Sequence, residues 1–111
     1  MKLIIAYVHP FMAGHVVHAL HLLPGVTGAS FSDSQGFGRA RDDNASEPEA
    51  LHGTTAKVRV EVVVRDGLED VIVETIRASA RTGHRGDGKV FVCDVNRAFR
   101  IATDEEGDNV V

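Results

Sequence analysis

Residues 57–95 read KVRVEVVVRDGLEDVIVETIRASARTGHRGDGKVFVCDV, and this stretch decides the fold. From Lys57 to Arg65 the chain alternates. Val58, Val60, Val62 and Val64 fall on one face, and Lys57, Arg59, Glu61 and Arg65 mostly on the other, which is the period of a half-buried strand. Asp66-Gly67 interrupts the pattern. Leu68, Val71, Ile72, Thr75, Ile76 and Ala80 then recur at helical spacing, which predicts an amphipathic helix over 68–81. A loop with Gly83, Gly86 and Gly88 follows, and the apolar run from Lys89 to Val95 reads as a second strand. Together these segments form one β-α-β unit.

A second unit precedes it. Lys2 to Val8 is apolar without alternation, which predicts a strand buried on both faces. Met12 to Leu23 places Met12, Val16, Leu20 and Leu23 on one helical face, and Pro24-Gly25 ends the helix. Val26 to Gln35 is a weaker strand. Between the two units, Gly36-Phe37-Gly38-Arg39 opens an aperiodic, polar stretch that continues to Ala56. A loop of that length in a compact domain has function or disorder as its usual cause, and its composition suggests a mobile arm.

The expected architecture is α+β, a ferredoxin-like sandwich ordered β-α-β, long loop, β-α-β, with both helices on one face of one sheet. A single domain over 1–111 is expected, with a mobile loop at about 38–56 and a C-terminal tail at about 102–111. A short strand is possible around Phe99–Ile101. Because the first and last strands are apolar on both faces, a partner subunit is the economical cover for the face the helices cannot reach.

Bulk properties exclude several classes. The 111 residues are 43% hydrophobic, enough for one core. Twelve basic and sixteen acidic side chains give a net charge of −4, which argues against nucleic acid as the main partner. No apolar run approaches membrane-spanning length, and MKLIIAYV is not followed by a signal-peptide cleavage site, so a cytoplasmic protein without direct membrane insertion is expected. The lone Cys93 allows no internal disulfide and, within VFVCDV, reads as a buried structural thiol.

Chemistry concentrates in Thr82–Lys89. Glycines let backbone N–H groups converge, and Arg85 and Lys89 add charge, so the loop suits a phosphate. Gly83 to Lys89 satisfies the first part of a Walker A pattern, but Val90 replaces the magnesium-binding Ser/Thr and a strand follows in place of a helix. A plain Gly-rich turn is the competing reading. His15, His18 and His21 recur on the first helix, where His15 and His18 could share a metal ion, but no nearby acid or cysteine completes a shell. No metal site is therefore assigned. His9 and His52 could bind a ligand or sense protons, with solvated loop residues as the default for each, and the run Asp104-Glu105-Glu106 with Asp108 reads as a solvated tail, or as a segment with ligand-dependent order if it folds over the cleft. Asp87 and Lys89 could suggest phosphoryl chemistry, yet no nucleophile–base pair is legible, so a non-enzyme is expected.

Taken together, Pro10-Phe11, Gly25-Val26-Thr27-Gly28, Gly36-Phe37-Gly38-Arg39, Lys57-Val58-Arg59-Val60-Glu61, Thr82-Gly83, Gly86-Asp87-Gly88-Lys89-Val90-Phe91-Val92, Arg97 and Arg100-Ile101 resemble the PII signalling protein superfamily in order and spacing over nearly the whole chain. The resemblance implies a homotrimer that binds an adenine nucleotide in each cleft between subunits. It implies that Gly86, Asp87, Gly88 and Lys89 wrap the phosphates, that Arg100, and from the other side Gly38 and Arg39, add charge to the same phosphates, and that Gly28, Ser30 and Val63 contact the adenine ring. It further implies that the 38–56 loop docks on a target protein, with a membrane transporter as one candidate.

Departures qualify these expectations. Ala40 stands where nitrogen-sensing members use a glutamine for magnesium and 2-oxoglutarate, and Ala102 stands where a second basic residue is expected. AMP or ADP is therefore favoured over ATP. The loop has no tyrosine, so uridylylation of a loop tyrosine is not available. The opening AYVHPFM resembles PII-like proteins associated with heavy-metal efflux, and bicarbonate-linked PII-like proteins are a second relative. Alternatives to the nucleotide-binding regulator are a trimeric metal-binding protein that uses surface histidines and a slow nucleotide hydrolase.

Overall fold

The computed structural model describes residues 1–38 and 54–111. Strand β1 (Lys2–Val8) leads through a 3-10 turn at Pro10–Met12 into helix α1 (Ala13–His21), and β2 (Ser30–Gly36) follows. After the undescribed segment come β3 (Thr55–Val64), helix α2 (Glu69–Ala80) and β4 (Lys89–Asp94), with a final 3-10 turn at Gly107–Val110. The strands form one antiparallel sheet in the order β2-β3-β1-β4. Each β-α-β unit thus leaves a gap that a strand of the other unit fills, as the ferredoxin-like sandwich requires.

Periodicity explains which faces pack. In β1, Ile4, Ala6 and Val8 are buried, and in β3 so are Val60, Val62 and Val64. They meet Val16 and Leu20 of α1 and Ile72, Ile76 and Ala80 of α2 in one core. Burying each large aliphatic side chain stabilises the fold by roughly 1.5–3 kcal/mol. Helix α2 starts beside a local cap, in which the Gly67 N–H donates to Glu69 Oε2 at 2.7 Å. Glu69 and Asp70 in its first turn also suit the helix dipole.

Burial of β1 on both faces does not hold in the single chain. Leu3, Ile5 and Tyr7 are only half-buried, because both helices lie on the opposite face. Cys93 corrects a further expectation: it is exposed. It pairs with Leu3 on the edge strand β4, two residues from the exposed Phe91, so its apolar neighbours in sequence do not cover it. Strand β2 begins at Ser30, not Val26, and its bounds follow its register with β3 from Ser30↔Glu61 to Gly36↔Thr55.

Phe99 makes a single bridge to Glu106 in place of a strand at 99–101. The acidic run is exposed as expected but folded back. The Gly107 N–H donates to the Ala98 carbonyl at 2.8 Å, and Arg65 Nε reaches the Asp108 carbonyl at 3.3 Å.

One backbone position is intolerant of any side chain. Gly88 has φ of +108°, and a Cβ there would overlap the carbonyl oxygen of Tyr7 on the neighbouring strand. Gly88→Ala is expected to cost at least about 3 kcal/mol through strain and overlap together. Urea unfolding measures this cost, and a change below about 0.5 kcal/mol would contradict the packing described.

Candidate functional site: a glycine-rich anion cradle

The 82–89 loop spans the end of α2 and the start of β4, at the edge of the sheet where β1 ends. Its shape is set by Asp87. That carboxylate accepts the Thr82 hydroxyl, the Thr82 N–H at 2.9 Å and the Gly83 N–H at 3.3 Å. His9 Nε2 lies 3.3 Å from the same group. The Thr82 hydroxyl, then the Thr82 backbone N–H, hold the Asp87 carboxyl below its usual range. Asp87 therefore closes the loop on itself.

With the acid engaged inward, the loop keeps donors for something else. Among the described residues, the N–H groups of Gly86, Asp87 and Gly88 have no hydrogen-bond partner, and Lys89 and Arg85 make no ion pair. Successive free N–H groups beside cations form an anion nest. Lys57 of β3 adds a cation from below, donating to the Gly86 carbonyl and lying 3.4 Å from His9 Nδ1. Burial pushes the Lys57 ammonium below its usual range, and Asp87 opposes the shift.

The expected site residues divide into two groups. Gly86–Lys89 lie at the β1 C-terminal end of the sheet, and β2 runs out at Gly36 toward Gly38 at that same end. Gly28 and Ser30 precede or open β2, and Val63 pairs with Leu3, so these three lie toward the other end. Arg100 follows β4, which leaves the sheet beside Met1, where the Val95 N–H meets the Met1 carbonyl at 3.1 Å. From Leu3 to Tyr7 along β1 is about 13 Å, so one chain does not bring the two groups together. Arg39 and Ala40 lie outside the described residues, as do His52 and nearly all of the 38–56 loop.

Arg100 is already occupied. Its Nε lies 3.2 Å from Glu105 Oε1, and its Nη2 reaches the Asn109 carbonyl at 3.3 Å. Nearby Arg97 stacks on Phe99 at 4.6 Å and meets Glu106 at 3.4 Å.

The cavity beside the cradle, lined by Arg77, Arg81, Asp87, Gly88 and Lys89 among others, is about 140 Å³. Sites that enclose a ligand of nucleotide size run to roughly 300–1,000 Å³. The cavity of one chain is smaller than that. Among the described residues no three His, Cys, Asp or Glu side chains converge on a metal position, and His15, His18 and His21 are exposed along α1. No described helix is long and apolar enough to cross a membrane.

Two residues, His9 and Lys57, carry a role at the loop that the sequence pattern does not signal. His9 joins Asp87 and Lys57, and it stacks on Phe11 with ring centroids 5.1 Å apart. Pro10, which fixes the turn just after it, was the only local signal.

A ferredoxin-like sheet that carries a cationic, glycine-rich turn where β4 begins defines the class of small regulatory proteins to which comparison with known sequences points. The profile of the family described as "Nitrogen regulatory protein P-II" matches residues 1–105. Nitrogen regulatory protein P-II of Klebsiella oxytoca and nitrogen regulatory protein P-II 1 of Escherichia coli (strain K12) are each 40% identical to the chain over 113 aligned positions, covering 100% of both sequences. Nitrogen regulatory protein P-II of Azospirillum brasilense is 36% identical over the same span. The chain belongs to the P-II family of nitrogen regulatory, signal-transducing proteins.

Acid stability tests the role assigned to Asp87. A carboxyl held low in the folded state adds stability above its ordinary range and loses it as pH falls through the folded value. Wild type is therefore expected to lose more stability between pH 7 and pH 3 than Asp87→Asn, measured by urea unfolding at both pH values. Equal losses would remove Asp87 as the loop's internal clasp.

Proposed function

We propose that this P-II family protein binds an adenine nucleotide at clefts between the copies of a homotrimer and thereby regulates a partner protein. The observation that carries the reading is the run of free N–H groups at Gly86, Asp87 and Gly88 beside Lys89, with Asp87 turned inward. Three donors and an ammonium suit the terminal oxygens of a phosphate. Lys89 and Gly38 would approach from one copy, with Arg39. Gly28, Ser30, Val63 and Arg100 would come from its neighbour. The separation of the two groups within one chain supports this division.

The half-buried apolar face of the sheet supports the homotrimer, since Leu3, Ile5, Val63 and Phe91 need a cover that the helices do not provide. Ala102 leaves Arg100 as the single basic residue of that pair, and this favours AMP or ADP over ATP. The 38–56 loop, whose order the nucleotide would change, is the segment we assign to the partner, with a membrane transporter as one candidate. The protein would act in the cytoplasm, as one domain.

Turnover of the nucleotide has little support in the geometry. The Thr82 hydroxyl is engaged by the Asp87 carboxylate, which also holds the Thr82 and Gly83 N–H groups, so this pair shapes the loop. We therefore assign the loop to sensing phosphate.

Calorimetry with AMP, ADP and ATP is expected to show binding, with Lys89→Ala weakening it at least about tenfold, the worth of one charge-assisted contact. Failure of all three at millimolar concentration would overturn the nucleotide reading. Light scattering on the eluting protein is expected to give the mass of three chains.

A further inference from the structure

We propose that His9 is a positioning residue through which the 82–89 loop senses protons, its protonation tightening anion binding at the cradle. The inference rests on the anion-binding reading above and deepens it. The sequence reads His9 by default as a solvated loop residue that could sense protons, and in the structure three contacts hold its ring in place. Phe11 stacks on one side, Nε2 lies 3.3 Å from Asp87 Oδ1, and Nδ1 lies 3.4 Å from Lys57 Nζ.

These neighbours dictate the tautomer. A lysine ammonium has donors only, so it pairs with Nδ1 only if that nitrogen presents its lone pair. The single proton of the neutral ring is then on Nε2, where it is donated to Asp87. In this state the group carries Lys57 positive and Asp87 negative, with no net charge.

A second proton can enter only at Nδ1. There it faces the Lys57 ammonium. The bond to Asp87 becomes charge-assisted. The three side chains now carry a net charge of +1, beside a loop that Lys57 ties to β3 through the Gly86 carbonyl.

The charged groups against the ring are Lys57 from β3 and Asp87 from the loop, while the Pro10–Met12 turn contributes the apolar Phe11. Among the described residues no other ionisable side chain touches it. The ring and Asp87 are largely withdrawn from water, at 21% and 26% exposure, so the added charge is only partly screened. By linkage, protonation and anion binding favour each other by the same factor.

The test measures ADP affinity at pH 6 and pH 8 for the full chain and for His9→Gln. Protonation of ADP itself affects both proteins alike and cancels in the comparison. Wild type is expected to gain on the order of fivefold more affinity on acidification than the variant, as one added charge a few ångströms away implies. Nitrogen-detected NMR of the nucleotide-free protein is expected to find the Nε2–H tautomer at pH 8. An equal pH response in wild type and His9→Gln, or an Nδ1–H tautomer, would overturn the proposal. If neither protein binds ADP at any pH, the nucleotide reading fails by itself. The role of His9 is then decided by the tautomer: a proton on Nε2 sustains it, and a proton on Nδ1 overturns it.

Discussion

A sheet has two faces, and this chain has helices for one. Helices α1 and α2 cover the side that carries Ile4, Ala6, Val60 and Val62, and these residues are fully buried. The other side presents Leu3, Ile5, Val63 and Phe91, with Tyr7, Arg59 and Glu61 as a polar strip among them. Exposed apolar area of this kind is unfavourable in water and drives association. From that constraint follow the proposed homotrimer and the proposed sharing of each nucleotide between two copies.

The loop at the start of β4 shows how a short polar segment holds a binding shape without a ligand. Gly88 allows β4 to begin against the Tyr7 carbonyl, and Asp87 gathers Thr82 and Gly83 around its carboxylate. What faces outward is therefore mostly donors. Preorganised donors lose little entropy when an anion arrives, and this distinguishes a cradle from a flexible glycine turn. Arg100, paired with Glu105 in the same chain, is in the opposite situation. A phosphate would have to displace a carboxylate to reach it, though an exposed pair of this kind is weak, roughly 0–1 kcal/mol.

Much of the fold was legible in the residues. The two-residue period of Val58, Val60, Val62 and Val64 and the helical spacing of Ile72, Ile76 and Ala80 placed β3 and α2 correctly, since burial acts directly on those patterns. Where the reading failed, the cause was tertiary. Cys93 lies in an apolar run, but its exposure depends on β4 being an edge strand, which no local pattern records. The start of β2 at Ser30 is set by pairing with β3 and not by the apolar Val26. At the site, the glycines and Lys89 were visible as a motif. The contact of His9 with Asp87 and Lys57 was not, because the three are brought together by the sheet across long stretches of sequence.

Subunit mixing tests the central claim, a nucleotide site shared between copies, most directly. Lys89→Ala damages the loop side of each site and Arg100→Ala the facing side, so each variant alone is expected to bind ADP poorly. Equal amounts of the two are unfolded together and refolded, so that their chains assort at random. About one interface in four then joins an intact loop to an intact Arg100, and ADP is expected to bind tightly at about a quarter of the wild-type number of sites. Tight binding that stays absent from the mixture, though present in wild type refolded the same way, would contradict the shared site.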